Sequence, residues 1–209
     1  MRRRLTHGAL VALASLPLAG LALDAWRGQL EAEPIKQVTH VTGLWTLRLL
    51  LASLAITPAR QILGLGWLAP YRRTLGLLAF SYCTLHLLTY GVLDLWGDWG
   101  TLFEDIAKRP YITVGFAGFL CLVPLAITST RAWIRRLGKR WVVLHRLVYV
   151  AAVCGCVHFL WLVKKDVREP LIYSALLTAL FAARGFVRLR PRFAAATKAR
   201  KSASLSASP

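Results

Sequence analysis

Long apolar segments alternate with short basic or mixed segments along this chain of 209 residues. Six apolar runs stand out, at about 8–26, 42–57, 75–93, 111–128, 142–163 and 170–187. Most approach the ~20 residues that an α-helix needs to cross a ~30 Å hydrocarbon layer, although the second is short. The pattern predicts an all-α fold: a polytopic membrane helix bundle with six transmembrane helices. The first run follows Arg2, Arg3 and Arg4, as a signal peptide would. It lacks a convincing small-residue cleavage site before Asp24-Ala-Trp-Arg27, so it reads as a retained first helix. No internal repeat is visible, and no loop is long enough for a nucleotide-binding domain.

Charge changes the picture by giving the bundle two different ends. The chain is 56% hydrophobic yet carries a formal charge of +18. Nucleic-acid binding would explain the charge but not the apolar runs between the basic clusters, so nucleic acid is set aside as a partner. The N-terminus, the loop with Arg60, Arg72 and Arg73, and the loop with Arg131, Arg135, Arg136, Lys139 and Arg140 are basic and free of acids. The C-terminal segment is basic too. The three remaining loops mix Asp and Glu with Lys and Arg. By the positive-inside rule both termini are cytoplasmic, in keeping with an even helix count. Residues 1–190 form the membrane domain, and 191–209 form a basic, Ala- and Ser-rich cytoplasmic tail expected to be disordered. Its basic residues can rest on the lipid bilayer surface. Cys83, Cys121, Cys154 and Cys156 all lie inside apolar runs and are assigned no chemistry.

The chemistry-bearing residues are histidines. His145 and His158 lie thirteen residues apart in the fifth run, a rotation of roughly 1300° and a rise of roughly 20 Å on a helix. Allowing for curvature, both rings can face into one bundle at two depths. His86 lies about twelve residues into the third run, roughly 18 Å from its cytoplasmic end. His86 and His158 therefore share a depth on two parallel helices, which is what bis-imidazole ligation of a b-type haem requires. A lone intramembrane histidine is often a hydrogen-bonded packing residue; a depth-matched pair favours ligation of haem iron. Gly76, Gly91, Gly115, Gly118 and Gly155 give room for a flat macrocycle, and small residues also serve plain helix packing.

The inner level is incomplete, because Arg72 or Arg73 stands where a partner for His145 would be. A second haem is therefore less secure than the first. His145 could be a lone axial ligand, or could line a flavin or quinone pocket. Arg48, inside the second run, is a candidate partner for a haem propionate, against a reading of simple snorkelling. Arg146 could serve similarly at the inner level. His40 is expected just before the second helix, as an outer-face contact for a propionate, a quinone or a partner protein. His7 is assigned no role, and no residue is assigned as catalytic.

Several stretches resemble the MsrQ (YedZ) family. They include Thr39-His-Val-Thr-Gly-Leu-Trp45, Ile56-Thr-Pro58, Ser81-Tyr-Cys-Thr-Leu-His86, Leu137-Gly-Lys-Arg-Trp141, Leu144-His-Arg-Leu-Val-Tyr149 and His158-Phe-Leu-Trp161. The ordered set runs from about residue 30 to 187, and it is similar more widely to the ferric reductase-like transmembrane domain. The resemblance implies the haem-binding membrane subunit of the protein-methionine-sulfoxide reductase system, in the bacterial inner membrane. It implies haem at His86, His145 and His158, and FMN as a further cofactor. Electrons would come from the quinone pool or a flavin reductase. They would pass to a periplasmic MsrP-like molybdopterin reductase, in a heterodimer that repairs oxidised proteins. The chain would then be an electron-transfer subunit rather than the catalytic one. Two other classes remain open: a self-contained ferric or metal reductase, and a non-redox transporter or assembly factor.

Overall fold

The computed structural model describes residues 2–206, with side chains from His7 to Val187 and at Leu189. Its regular elements are all helical among the described residues. They are α1 (Arg2–Trp26), α2 (Pro34–Ile62), α3 (Tyr71–Leu88), α4 (Trp99–Lys108), α5 (Pro110–Ile127), α6 (Arg131–Leu137), α7 (Lys139–Leu144), α8 (Leu147–Leu162) and α9 (Arg168–Ser206). A 3₁₀ turn, Gly66–Leu68, precedes α3, and a π-helical turn, Thr89–Asp94, extends it. Six segments are long and apolar enough to span a bilayer: His7–Trp26, Pro34–Ile62, Tyr71–Asp94, Pro110–Ile127, Lys139–Leu162 and Arg168–Val187. The chain is a multi-pass membrane protein. A helix satisfies its backbone polar groups within the segment, which hydrocarbon demands.

Packing makes α2 the central element. Leu50 and Leu54 of α2, Ala79 of α3 and Ala152 of α8 are almost fully buried. They belong to one cluster that joins α2, α3, α5, α8 and α9. The opposite faces expose large apolar residues such as Leu13, Leu16, Leu120, Val150, Leu171 and Ile172, which suits a wall of lipid. The closest helix pairs are α2 with α3 and α5 with α8.

Those two pairs repeat one another. Gly43, Leu50, Leu75, Ala79 and His86 of the first pair are followed 72 residues later by Gly115, Leu122, Leu147, Ala151 and His158 of the second. The expectation of no internal repeat therefore gives way to a two-helix unit used twice. Few side chains are shared, because lipid-facing positions accept any large apolar residue.

Three boundaries differ from the hydropathy pattern. The second helix begins at Pro34, eight residues before the apolar run, and Pro costs nothing at the first helical position. His40 consequently lies inside α2 rather than just before it. The fifth run is not one helix: α7 ends at Leu144 and α8 begins at Leu147, with His145 and Arg146 at the joint. The single-helix estimate of rise and rotation between His145 and His158 does not carry across that joint. The loop at 94–110 contains α4, whose amphipathic face is tied down by Asp105. That buried carboxylate accepts from the Tyr90 hydroxyl and pairs with Arg109 Nε at 2.8 Å. At the C-terminus, helical backbone continues to Ser206, into the stretch read as a tail from 191. Its Ala, Lys and Arg residues are strong helix formers.

Candidate functional site

His86 and His158 meet in the bundle. Their ring centres are 6.1 Å apart and their planes stand at 82°. His86 comes from the last turn of α3, just before the π-helical turn, and His158 from the last half of α8. π-Turns interrupt the regular helix ladder and recur at functional sites.

Each ring is held in the same way. Nδ1 of His86 lies 2.9 Å from the Thr39 carbonyl of α2, and Nδ1 of His158 lies 2.7 Å from the Tyr111 carbonyl of α5. A carbonyl can only accept, so Nδ1–H is the donor in both, and Nε2 carries the lone pair. Among the described residues Nε2 of neither ring takes a hydrogen bond. Metal-ligating histidines are oriented by this kind of bond, which fixes the tautomer and leaves the other nitrogen for the metal. One turn beyond each carbonyl is a glycine that lets the ring approach the neighbouring backbone. A Cβ at Gly43 would sit 2.9 Å from His86 Nδ1, and one at Gly115 would sit 2.7 Å from His158 Nδ1. Carbonyl, glycine and histidine thus occur twice, with both hydrogen bonds spanning 47 residues.

This donor set suits an iron held between two imidazoles. Two neutral rings with centres 6.1 Å apart, each with Nε2 uncommitted, would be the residues to hold it. Haem iron accepts neutral imidazole nitrogen, and both rings offer one.

The other candidate residues fall elsewhere. His145 stacks on Trp141 with ring centres 3.8 Å apart, and its Nε2 lies 3.1 Å from Thr128 Oγ1. Thr128 gives its only hydroxyl proton to the Pro124 carbonyl at 2.6 Å, so His145 Nε2–H must donate to it. His145 therefore holds the tautomer opposite to that of the paired rings. Arg48 donates from Nε to the Tyr173 hydroxyl at 2.8 Å and lies 5.3 Å from the Trp45 ring centre. His40 Nε2 lies 3.9 Å from Glu169, and its ring meets Phe159, the residue after His158. His7, given no role from sequence, contacts Thr74 Oγ1 through Nδ1 at 3.0 Å. Of the five glycines singled out, Gly115 is the one against a paired histidine, while Gly118 faces Cys154 and Gly91 faces Trp99.

Sequence reasoning missed Thr39 and Tyr111 as orienting acceptors, and Gly43. A carbonyl leaves no side-chain signature. Gly43, however, precedes His86 by the same interval as Gly115 precedes His158, and comparing the chain with itself exposes that.

Comparison with known proteins adds an independent line. Residues 42–156 match the family described as ferric reductase like transmembrane component. The chain is 47% identical over 213 residues to the protein-methionine-sulfoxide reductase heme-binding subunit MsrQ of Xanthomonas oryzae pv. oryzae, covering 99% of this chain and 94% of that protein. It is 49% identical over 201 residues to the MsrQ of Xanthomonas campestris pv. campestris, covering 92% and 91%. Over 165 residues it is 51% identical to the MsrQ of Caulobacter vibrioides, covering 78% and 79%. No solved structure matches the chain.

Proposed function

The chain belongs to the MsrQ family of ferric reductase-like transmembrane components, and on that footing we propose that it is the haem-binding membrane subunit of a protein-methionine-sulfoxide reductase system. The observation that carries the reading is the His86–His158 pair, with both Nδ1 atoms committed to backbone carbonyls and both Nε2 atoms uncommitted. These two residues would hold the iron of one b-type haem. When bound, haem supplies a one-electron couple whose potential the surrounding protein tunes.

The chain's own work is positioning. Thr39 and Tyr111 fix the tautomer and the ring angle, and their acceptor carbonyls raise the basicity of the ligating nitrogens. Gly43 and Gly115 set how far each ring sits from its backing helix. Arg48, whose Nε alone is used on Tyr173, keeps two terminal nitrogens for a propionate. His40 and Glu169 mark the adjoining face between α2 and α9. His145 remains a candidate ligand for a second haem only if it leaves Thr128.

The subunit carries electrons from the quinone pool or a flavin reductase, with FMN as a further family cofactor. It delivers them to a periplasmic MsrP-like molybdopterin reductase, which docks on the segments at 27–41 and 94–110. Residues 1–190 make up this domain, and both termini face the cytoplasm.

Redox titration of the purified protein, with haem quantified per chain, tests the reading. The expected result is a reducible b-type spectrum at one haem per chain. His86→Ala and His158→Ala should each lose most of it, and His145→Ala should keep it. Normal haem content in both of the first two variants would end the assignment.

A further inference from the structure

A second polar constellation lies at the end of the bundle remote from His86 and His158. A cavity of about 220 Å³ is lined by Thr57, Gln61, Arg72, Tyr149 and Arg184. Thr57 and Gln61 come from the last turns of α2, Arg72 from the first turn of α3, Tyr149 from the first turn of α8, and Arg184 from α9. Four helices from the two halves of the chain therefore bring their hydrogen-bonding side chains to one space. Gln61 and Arg72 are exposed at its rim, and Arg184 is buried at 9% exposure.

The inner wall is built rather than incidental. Arg184 Nη1 donates to the Tyr149 hydroxyl at 2.8 Å, and Nη2 donates to the Leu54 carbonyl. Its guanidinium carbon lies 5.3 Å from the Tyr149 ring centre, as in a cation–π contact. These contacts fix the direction of a charged group that would otherwise reach for water.

Charge identifies the occupant. The lining brings two guanidinium groups, two hydroxyls and an amide, and no carboxylate. The nine acids of the chain are Asp24, Glu31, Glu33, Asp94, Asp98, Glu104, Asp105, Asp166 and Glu169. Every one lies at or beyond the opposite ends of the spans. None of the five lining residues supplies a carboxylate, so a negative charge in this cavity would come from outside that lining. Convergent guanidinium forks with hydroxyl and amide donors match a group that offers several acceptor oxygens around one centre. A volume several times the ~30 Å³ share of one water leaves room for such a group and a substituent.

We propose that this cavity is a binding site for a phosphate group, gripped by Arg72 and Arg184 and completed by Thr57, Gln61 and Tyr149. Two sources share that chemistry: the headgroup of an anionic phospholipid entering between helix ends, and free phosphate. Basic pockets between membrane helices at a surface of the bilayer are suited to the first. The proposal is independent of the His86–His158 assignment, since it uses none of the same residues.

The test is thermal unfolding of the full-length protein in an uncharged detergent, followed by tryptophan fluorescence. Dioleoylphosphatidylglycerol is compared with dioleoylglycerol, which has the same chains and no phosphate. In a separate arm, sodium phosphate is compared with sodium chloride at equal ionic strength. Wild type should be raised in Tm by the phosphate-bearing partner of at least one pair. Arg72→Gln, a change at an exposed position, should need roughly tenfold more of that ligand for the same shift, the effect of losing one charged hydrogen bond. Gln61→Ala should shift the dose in the same direction by less. A shift with phosphatidylglycerol alone assigns the lipid as the source, and an equal shift with sodium phosphate assigns free phosphate. No shift in either arm, or the same dose dependence in wild type and Arg72→Gln, overturns the site. Circular dichroism of Arg72→Gln checks that the helices remain.

Discussion

At the scale of single residues, the question is what distinguishes His86 and His158 from two histidines that merely pack. Rings 6.1 Å apart at 82° are also how a plain aromatic pair meets edge to face. The difference lies in the backing of each ring. A packing histidine needs no glycine behind it, yet Gly43 and Gly115 are each placed where a Cβ would press on the imidazole, at 2.9 and 2.7 Å from Nδ1. This gives a prediction that separates stability from ligation. Gly→Ala within a helix gains up to about 1 kcal/mol in propensity, and crowding a packed site costs about 1–3 kcal/mol. The net cost is then about 0–2 kcal/mol, so Gly115→Ala should lower Tm modestly at most. It must nevertheless displace the His158 ring, and haem per chain should fall severalfold. Gly43→Ala should act in the same way on His86. Gly20→Ala, where a Cβ meets nothing within 4 Å, should leave haem content untouched. Equal haem in Gly115→Ala and Gly20→Ala would mean that the close approach is unrelated to ligation. Absorbance at the Soret band, normalised to protein, decides the matter.

Elements show where the sequence was informative and where it was not. Hydrocarbon imposes length and apolarity on a span, so the six crossings were legible from hydropathy. His86 and His158 do meet, as their places on two parallel spans suggested, although the rise reckoned from His145 assumed one unbroken helix. Polar ends of spans were not legible: Lys36, Gln37, Thr39 and His40 occupy the first turns of α2 and hide that they are helical. The joint at His145 and Arg146 was hidden in the other direction, since the apolar run passes through it without interruption. The orienting carbonyls of Thr39 and Tyr111 are backbone atoms, common to every residue type. α4 was hidden by its loop-like composition, although Asp98 marks its start. Asp98 accepts from the Thr101 hydroxyl at 2.7 Å and from the Thr101 amide at 3.1 Å. These bonds, the hydroxyl first, hold its carboxyl below the ordinary carboxylate value. With the folded value depressed, the cap's contribution is present above the ordinary value near ~4. It is lost as pH falls through the lower folded value. A nitroxide at position 103, in a background without the native cysteines, should keep constant mobility from neutral pH down through the ordinary carboxylate range. Mobility should rise only below that range. Asp98→Ala should show the raised mobility at neutral pH, and Asp98→Asn, which can still cap, should not. Identical spectra for Asp98→Ala and the parent would show that the cap does not hold α4.

For the molecule as a whole, the governing fact is that its two ends differ in charge and in chemistry. All nine Asp and Glu side chains lie at the end that holds His86 and His158. The acid-free loops of Arg60, Arg72 and Arg73, and of Arg131 to Arg140, lie at the other end. Lys and Arg in short loops are retained on the cytoplasmic side during insertion, and acids contribute little to that choice. The basic end is therefore expected in the cytoplasm, and the histidine pair towards the periplasm. This orientation is what a subunit delivering electrons outward requires, because a haem near the outer surface shortens the last transfer to a soluble partner. Reporter fusions test it without reference to haem. Green fluorescent protein after Val187 or at the C-terminus should fluoresce, and alkaline phosphatase at the same positions should be inactive. Alkaline phosphatase inserted between Asp94 and Trp99 should be active. Moving Arg72, Arg73 and Arg131 to Gln together should weaken the preference, since those charges hold the topology. Inverted reporter activities would place the His86–His158 pair beside the cytoplasm. Outward delivery to a periplasmic reductase would then fail, even if both histidines still bound haem.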